Sequence, residues 1–186
     1  KEFMKDRVLL KQLPNLLTLL NMVLGLVVVF AYVWRGPAYR LRACALILVA
    51  GGLDALDGRL ARLWNAESAL GKQLDSFADL ISFGLAPGLL TLTHPEVRAL
   101  GWPSYASLGL YVLAGAFRLA RFNLGDFRDY FLGLPITAAG IILVLVNLLL
   151  HYGPILELGW GAAALNGLVL LLAALMASRV AVKRPW

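Results

Sequence analysis

Charge is scarce in this chain and cysteine is nearly absent. Acidic and basic side chains make up 15% of the 186 residues, and 60% are hydrophobic. Soluble domains carry about 25% charged and about 45–50% apolar residues, so a soluble core is a poor account of the composition. The lone Cys44 cannot close an internal disulfide, and in its apolar run it reads as a small buried hydrophobe. The two histidines, His94 and His151, fall in expected loops without ligand-like neighbours, and neither needs a catalytic role. No internal repeat is visible, which argues against a transporter built from duplicated halves. No cleavable signal peptide is evident, and the Lys1-Glu2-Phe3 that precedes Met4 reads as a cloning or fusion scar, leaving 4–186 as a single membrane domain. What charge there is leans positive, +6 at pH 7. In such a chain that points to basic loops against anionic headgroups rather than to nucleic acid.

Long apolar runs are what the chain has instead. A helix needs about 20 mainly apolar residues to cross roughly 30 Å of hydrocarbon. Six stretches qualify, at 15–34, 41–63, 72–92, 104–122, 135–152 and 158–178, separated by the turn-bearing segments WRGPAYR, WNAESALG, THPEVRALGWP, NLGDFRDYFLGLP and HYGPILELGWG. The expected fold is all-α and integral to the membrane: six transmembrane helices plus a short N-terminal juxtamembrane amphipathic helix over MKDRVLLKQLP. An even number of spans puts both termini on one side. That side gathers Lys5, Arg7, Lys11, Arg59, Arg62, Lys72, Arg118, Arg121, Arg128, Arg179, Lys183 and Arg184, against Arg35, Arg40, Arg42 and Arg98 on the other. The positive-inside rule then places the termini in the cytoplasm, with the protein in the inner or plasma membrane. Trp34, Trp102 and Trp160 fall at the outer interface, where an aromatic belt is expected.

Against this background, four aspartates stand out. Asp54 and Asp57 are three apart, Asp75 and Asp79 four apart, and both spacings put their members on one helix face. The second and third spans form a hairpin about NAES, so all four carboxylates share the cytoplasmic half. A charged Asp in a membrane helix costs about 2.5–3.5 kcal/mol even on lenient scales, and four together also repel. They need cations. Divalent metal, Mg²⁺ or Mn²⁺, suits an all-oxygen set with room for a phosphate; the alternative, a buried network with Arg59 and Arg62, offers two cations for four anions. Gly58, Ala61 and Gly71 keep side chains small beside the cluster, where a helix or a nucleotide could come close, and Arg62 offers a fork suited to phosphate. Asn15, Thr18 and Asn21 form a polar stripe on the first span, and so mark an interior face that serves helix packing or contact with substrate or metal.

The pattern Asp54-x2-Asp57-Gly58-x2-Ala61-Arg62-x8-Gly71-x3-Asp75-x3-Asp79 resembles, without a departure, the signature of the CDP-alcohol phosphotransferase family. The resemblance implies a six-helix membrane fold, a homodimer, and a reaction in which an alcohol displaces CMP from a CDP-linked lipid. It implies two divalent ions held by Asp54, Asp57 and Asp75, with Asp79 as a further ligand and the base for the acceptor hydroxyl. It also implies a cytidine pocket at Gly58, Ala61 and Gly71, with Arg62 near the diphosphate; Asn15 and Thr18 join the CDP-lipid contacts in that reading.

LPNLLTLLNMVLGL, DLISFGLAP, FRLARFN and YFLGLP together resemble the CDP-diacylglycerol–serine O-phosphatidyltransferase branch of the family, which implies CDP-diacylglycerol and L-serine as substrates. Serine's carboxylate suits an arginine fork. Arg118 and Arg121, three apart on the fourth span with Asn123 beyond, are the candidates; the alternative is snorkelling to headgroups. Ser82, three residues after Asp79, either faces the acceptor or packs helices. Glycerol 3-phosphate or inositol phosphate as acceptor, or an archaeal-type ether-lipid donor, would keep the same chemistry. A prenyltransferase would differ in aspartate spacing and number of spans. A divalent-cation transporter would distribute its carboxylates through the membrane depth, whereas these lie on one side.

Overall fold

The computed structural model describes the backbone of residues 2–64, 66, 68–124, 130–179 and 181–183, and their side chains except those of 2–11, 32–33, 36–37, 130–132 and 181–183. Helix α1 (Glu2–Arg35) runs unbroken through Pro14. The separate juxtamembrane helix expected from the sequence is therefore the first part of α1, while the amphipathic face assigned to it lies outside the described side chains. Proline removes one N–H and crowds the turn before it, and here the helix absorbs that loss without ending.

A 3₁₀ turn at Gly36–Tyr39 reverses the chain into α2 (Arg40–Leu63). Of the expected NAES turn, Asn65 and Glu67 lie outside the described residues. Helix α3 (Ala69–Asp79) starts at Ser68, whose extended backbone and side chain form an N-cap: Ser68 Oγ accepts from Gly71 N at 2.9 Å. The chain then makes a π-helical turn at Leu80–Leu85 and continues as α4 (Ala86–Thr91). Pro87 supplies the cause. It has no N–H to give the Phe83 carbonyl four residues back, and its ring crowds that carbonyl. The Ala86 N–H instead reaches the carbonyl of Ile81, the wider π spacing. The released Phe83 carbonyl accepts from Tyr111 Oη at 2.9 Å.

Helix α5 (Pro95–Ala99) and Gly101, at φ +68°, lead into α6 (Trp102–Leu124). Residues 125–129 lie outside the described part. Two three-residue strands, β1 (Tyr130–Leu132) and β2 (Ala181–Lys183), pair antiparallel with Phe131 opposite Val182. They are two short strands beside an otherwise all-helical chain: the sequence treated both segments as loop or tail, and the ladder joins segments distant in sequence. Gly133, at φ +69°, follows β1, and a Cβ there would come within 2.7 Å of the Met176 carbonyl. Helix α7 (Ile136–Tyr152), a 3₁₀ turn at Pro154–Glu157 and α8 (Gly161–Ala177) complete the bundle.

The long helical stretches coincide with the six apolar stretches of the sequence. One described segment, Gln12–Ala31, is long and apolar enough to cross a membrane, and α7 and α8 are shorter apolar helices. Helices α2 and α6 reach 24 and 23 residues but carry the acidic and basic groups described below. The core gathers around the π turn: Phe83, Tyr111, Ile136, Leu143, Val144 and Met176 are fully enclosed. Gly140 of α7 lets Phe83 approach, since a Cβ there would lie 2.7 Å from the Phe83 carbonyl. His94 is a buried core residue, with Nε2 2.9 Å from Asn147 Oδ1, while His151 is exposed against the edge of Tyr152.

Candidate active site

Helices α2 and α3 place Asp54, Asp57 and Asp75 so that one carboxylate oxygen from each lies within 4.8 Å of the other two. Three bare carboxylates cannot rest that close: at an effective dielectric of about 20, each pair at such a distance repels by about 3 kcal/mol. No salt bridge reaches them among the described residues, and Arg59 and Arg62 are exposed, so the arginine network does not form. Oxygens about 2.0–2.6 Å from a common ion are separated by distances of this order. The donor set therefore fits a divalent ion, with hard oxygen ligands and no counter-cation of its own.

Thr18 of α1 secures one ligand. Its Oγ lies 2.7 Å from Asp57 Oδ2 and 3.0 Å from the Pro14 carbonyl. A hydroxyl has one proton to give, and the shorter contact to the carboxylate takes it. Asp57 is buried, and the bond fixes which oxygen is left for a ligand.

Asp79 stands outside the triad. It is the last residue of α3, buried, with its carboxyl beside that of Asp54 and Oδ1 lacking a partner among the described residues. Arg118, at 7% exposure, faces it from α6, and its Nε is also without a partner among those residues. Ser82 is fully enclosed and donates to the Asn21 carbonyl at 3.0 Å.

Beside the carboxylates opens a cleft of about 650 Å³. Asn15, Thr18, Asp57, Gly58, Ala61, Arg62, Gly71 and Asp75 all line it. The two glycines differ. A Cβ on Gly58 would meet nothing within 4 Å, so the space it leaves belongs to the cleft. A Cβ on Gly71 would lie 2.7 Å from Asn15 Oδ1, so this glycine lets α1 and α3 meet at the rim. Ser68, Ala69, Lys72 and Phe122 line the cleft as well, and the sequence reading gave none of them a role there. Lys72 carried a signal in standing between Gly71 and Asp75. Its Nζ donates to the Asn123 carbonyl at 3.3 Å and sits 5.4 Å from the Phe122 ring centre, which ties α3 to the end of α6.

The other acceptor candidates point elsewhere. Arg121 Nη2 donates to the Ser178 carbonyl at 3.0 Å, at the end of α8. Asn123 Nδ2 donates to Ser76 Oγ at 2.9 Å. Of the basic pair on α6, Arg118 is the one beside the aspartates.

A carboxylate triad at the wall of a cleft with one exposed arginine and one lysine can hold a metal and an anionic ligand together. Curated proteins similar to this chain in sequence are known. A protein named CDP-diacylglycerol–serine O-phosphatidyltransferase from Helicobacter pylori is 37% identical over 170 residues, 90% of this chain and 70% of that protein. Proteins of the same name from Mycobacterium leprae and Bacillus subtilis are 37% and 33% identical, over 81% and 77% of this chain and 50% and 78% of their own lengths. The chain thus spans from half to about three quarters of these relatives. The sequence profile described as CDP-alcohol phosphatidyltransferase matches residues 11–181, which include every aspartate and every cleft residue above. On that match and those relatives, the chain belongs to the CDP-alcohol phosphatidyltransferase family.

Proposed function

We propose that the protein transfers the phosphatidyl group of CDP-diacylglycerol to the hydroxyl of L-serine, giving phosphatidylserine and CMP. The observation that carries this reading is the meeting of Asp54, Asp57 and Asp75 at the wall of the cleft that Gly58, Gly71 and Arg62 line. The names of the relatives favour serine as the acceptor.

Each residue has work suited to its chemistry. The open face at Gly58 and Ala61 and the rim at Gly71 and Asn15 receive the cytidine, and Arg62 and Lys72 meet the diphosphate as charge-assisted donors. Asp54, Asp57 and Asp75 would hold Mg²⁺ or Mn²⁺, two ions in this reading, with Asp79 as a further ligand. When bound, such ions would supply charge that neutralises the diphosphate. Asp79 takes the proton from serine's hydroxyl as that oxygen bonds to the phosphatidyl phosphorus and the CMP oxygen departs with its electron pair. Arg118 holds the serine carboxylate. Arg121 and Asn123 keep the end of α6 against α8 and α3, which sets where Arg118 lies.

The protein acts as a membrane homodimer, with six crossing stretches and its termini and site on the cytoplasmic side. The apolar face of α1, with Leu16, Leu20, Val23, Val27 and Phe30 exposed, supports contact with lipid, and Trp34, Trp102 and Trp160, all exposed, fall at chain positions belonging to the opposite end.

The test is CMP release by purified protein given CDP-diacylglycerol, Mg²⁺ or Mn²⁺, and each alcohol in turn. Release that needs both metal and L-serine is expected. Release with glycerol 3-phosphate or inositol phosphate but not serine would overturn the acceptor, and metal-independent release would overturn the role of the triad.

A further inference from the structure

Asn21 is fully enclosed on α1, and neither its amide nitrogen nor its amide oxygen has a hydrogen-bond partner among the described residues. Buried side-chain amides nearly always find partners, so one that finds none at either end asks for an explanation.

Its position is narrowly fixed. One turn toward the N-terminus, Thr18 bonds Asp57. One turn the other way, a Cβ on Gly25 would come within 2.5 Å of Ser82 Oγ, and that hydroxyl bonds Asn21's own carbonyl. Asn21 thus lies between Asp57 and Ser82. Asp54 is one turn from Asp57 on α2, and Asp79 is three residues before Ser82. Asp79 Oδ1 and the Nε of Arg118, which faces Asp79, are likewise buried and without partners among the described residues, as is Asn123 Oδ1 at the end of α6.

Asn21 and the Asp79–Arg118 pair thus bring two unmet acceptors, Asn21 Oδ1 and Asp79 Oδ1, and two unmet donors, Asn21 Nδ2 and Arg118 Nε. A phosphorylated alcohol would call for donors and cations alone. A small zwitterion brings an ammonium for the acceptors and a carboxylate for the donors. We infer that Asn21 is an acceptor-specificity residue, whose Oδ1 receives an N–H of the ammonium of a small hydroxy amino acid while Arg118 takes its carboxylate. This rests on the proposed transfer to serine, and adds what makes the acceptor pocket choose an amino acid.

The experiment compares the full-length protein with Asn21→Leu in detergent, with CDP-diacylglycerol and Mn²⁺, using serine as substrate and 3-hydroxypropionate, which lacks the ammonium, as competing inhibitor. Loss of one hydrogen bond to a charged group should raise the serine KM by about tenfold or more, with the CDP-diacylglycerol KM and the inhibition constant of 3-hydroxypropionate both within about twofold. A serine KM within about twofold of the unsubstituted protein overturns the inference, and so does an equal weakening of serine and 3-hydroxypropionate, which would mark a carboxylate or packing role. Should Asn21→Leu not fold, as read by thermal unfolding, Asn21→Ser undergoes the same comparison under the same criteria. Serine-dependent CMP release with an indifferent variant sinks the inference alone; no serine-dependent release by the unsubstituted protein sinks the proposed function and the inference with it.

Discussion

Replacing Thr18 by valine tests the metal reading without touching a carboxylate. The two side chains have nearly the same shape, so α1 keeps its packing, but the hydroxyl 2.7 Å from Asp57 Oδ2 is gone. A hydrogen bond to a charged group contributes about 1.5–3 kcal/mol. At about 1.4 kcal/mol per factor of ten, its loss would weaken metal binding by about 10- to 150-fold if the bond serves mainly to orient Asp57. Groups that orient metal-ligating side chains in other proteins give losses of about 10–100-fold. The assay is CMP release against Mn²⁺ concentration, with thermal unfolding in detergent as a control. The half-saturating metal concentration should rise strongly for Thr18→Val and remain near the original for Thr18→Ser, which keeps the hydroxyl. An unchanged metal requirement in Thr18→Val, with activity lost only in step with stability, would refute the reasoning.

Other outcomes follow from neighbouring features. Asp54→Asn, Asp57→Asn or Asp75→Asn should each abolish turnover and the stabilisation that Mn²⁺ gives in thermal unfolding, since each takes the charge from one of three converging carboxylates. Gly58→Ala should unfold no earlier than the original, alanine being the better helix former by up to about 1 kcal/mol, yet raise the CDP-diacylglycerol KM because its methyl enters the cleft. Gly71→Ala should lower stability as well, its Cβ meeting Asn15 Oδ1 and Ser68 Oγ. Tyr111→Phe leaves the Phe83 carbonyl unpaired and should cost about 1–3 kcal/mol in thermal unfolding. His94 has its pKa pushed down to about 4 by burial first and by Arg40 second. Below its unfolded value the unfolded chain binds a proton that the folded chain refuses, so this residue should lower stability by about 2 kcal/mol as pH falls from about 6.5 to about 4. In His94→Gln, that part of the pH dependence of the melting temperature should vanish.

Much of the site was legible because its signals are local. Asp54 with Asp57, and Asp75 with Asp79, are one helical turn apart, and a turn is short enough for sequence spacing to fix which face each occupies. The ends of the apolar stretches were legible for the same reason, being marked by Gly36-Pro37, Pro95 and Gly153-Pro154. What spacing does not carry is direction at the end of a long side chain. Arg118 and Arg121 share a helix face, yet one lies buried beside Asp79 and the other bonds carbonyls at the end of α8. Nor does spacing carry contacts between distant segments. Ser82 bonding Asn21 and Phe122 reaching the cleft depend on how α1, α3 and α6 pack. The three-residue ladder between β1 and β2 joins segments so short that their alternation gives no signal.

The π turn at Leu80–Leu85 is a shift of phase. Each residue in a helix turns the chain by about 100°, so one residue more per turn leaves the two halves of this long helix facing different ways. The first half turns Asp75 toward the cleft, and the second turns Ala86 and Leu90 into the core. Deleting a single residue within Leu80–Leu85 would remove the extra residue of the wide turn and leave a helix of almost the same composition. It would also rotate the aspartates away from their partners on α2, or Leu90 out of the core. The reading frame of the helix is thus as much a part of the site as its carboxylates, and a relative that differs here by one residue in length should be expected to differ in chemistry or to compensate close by.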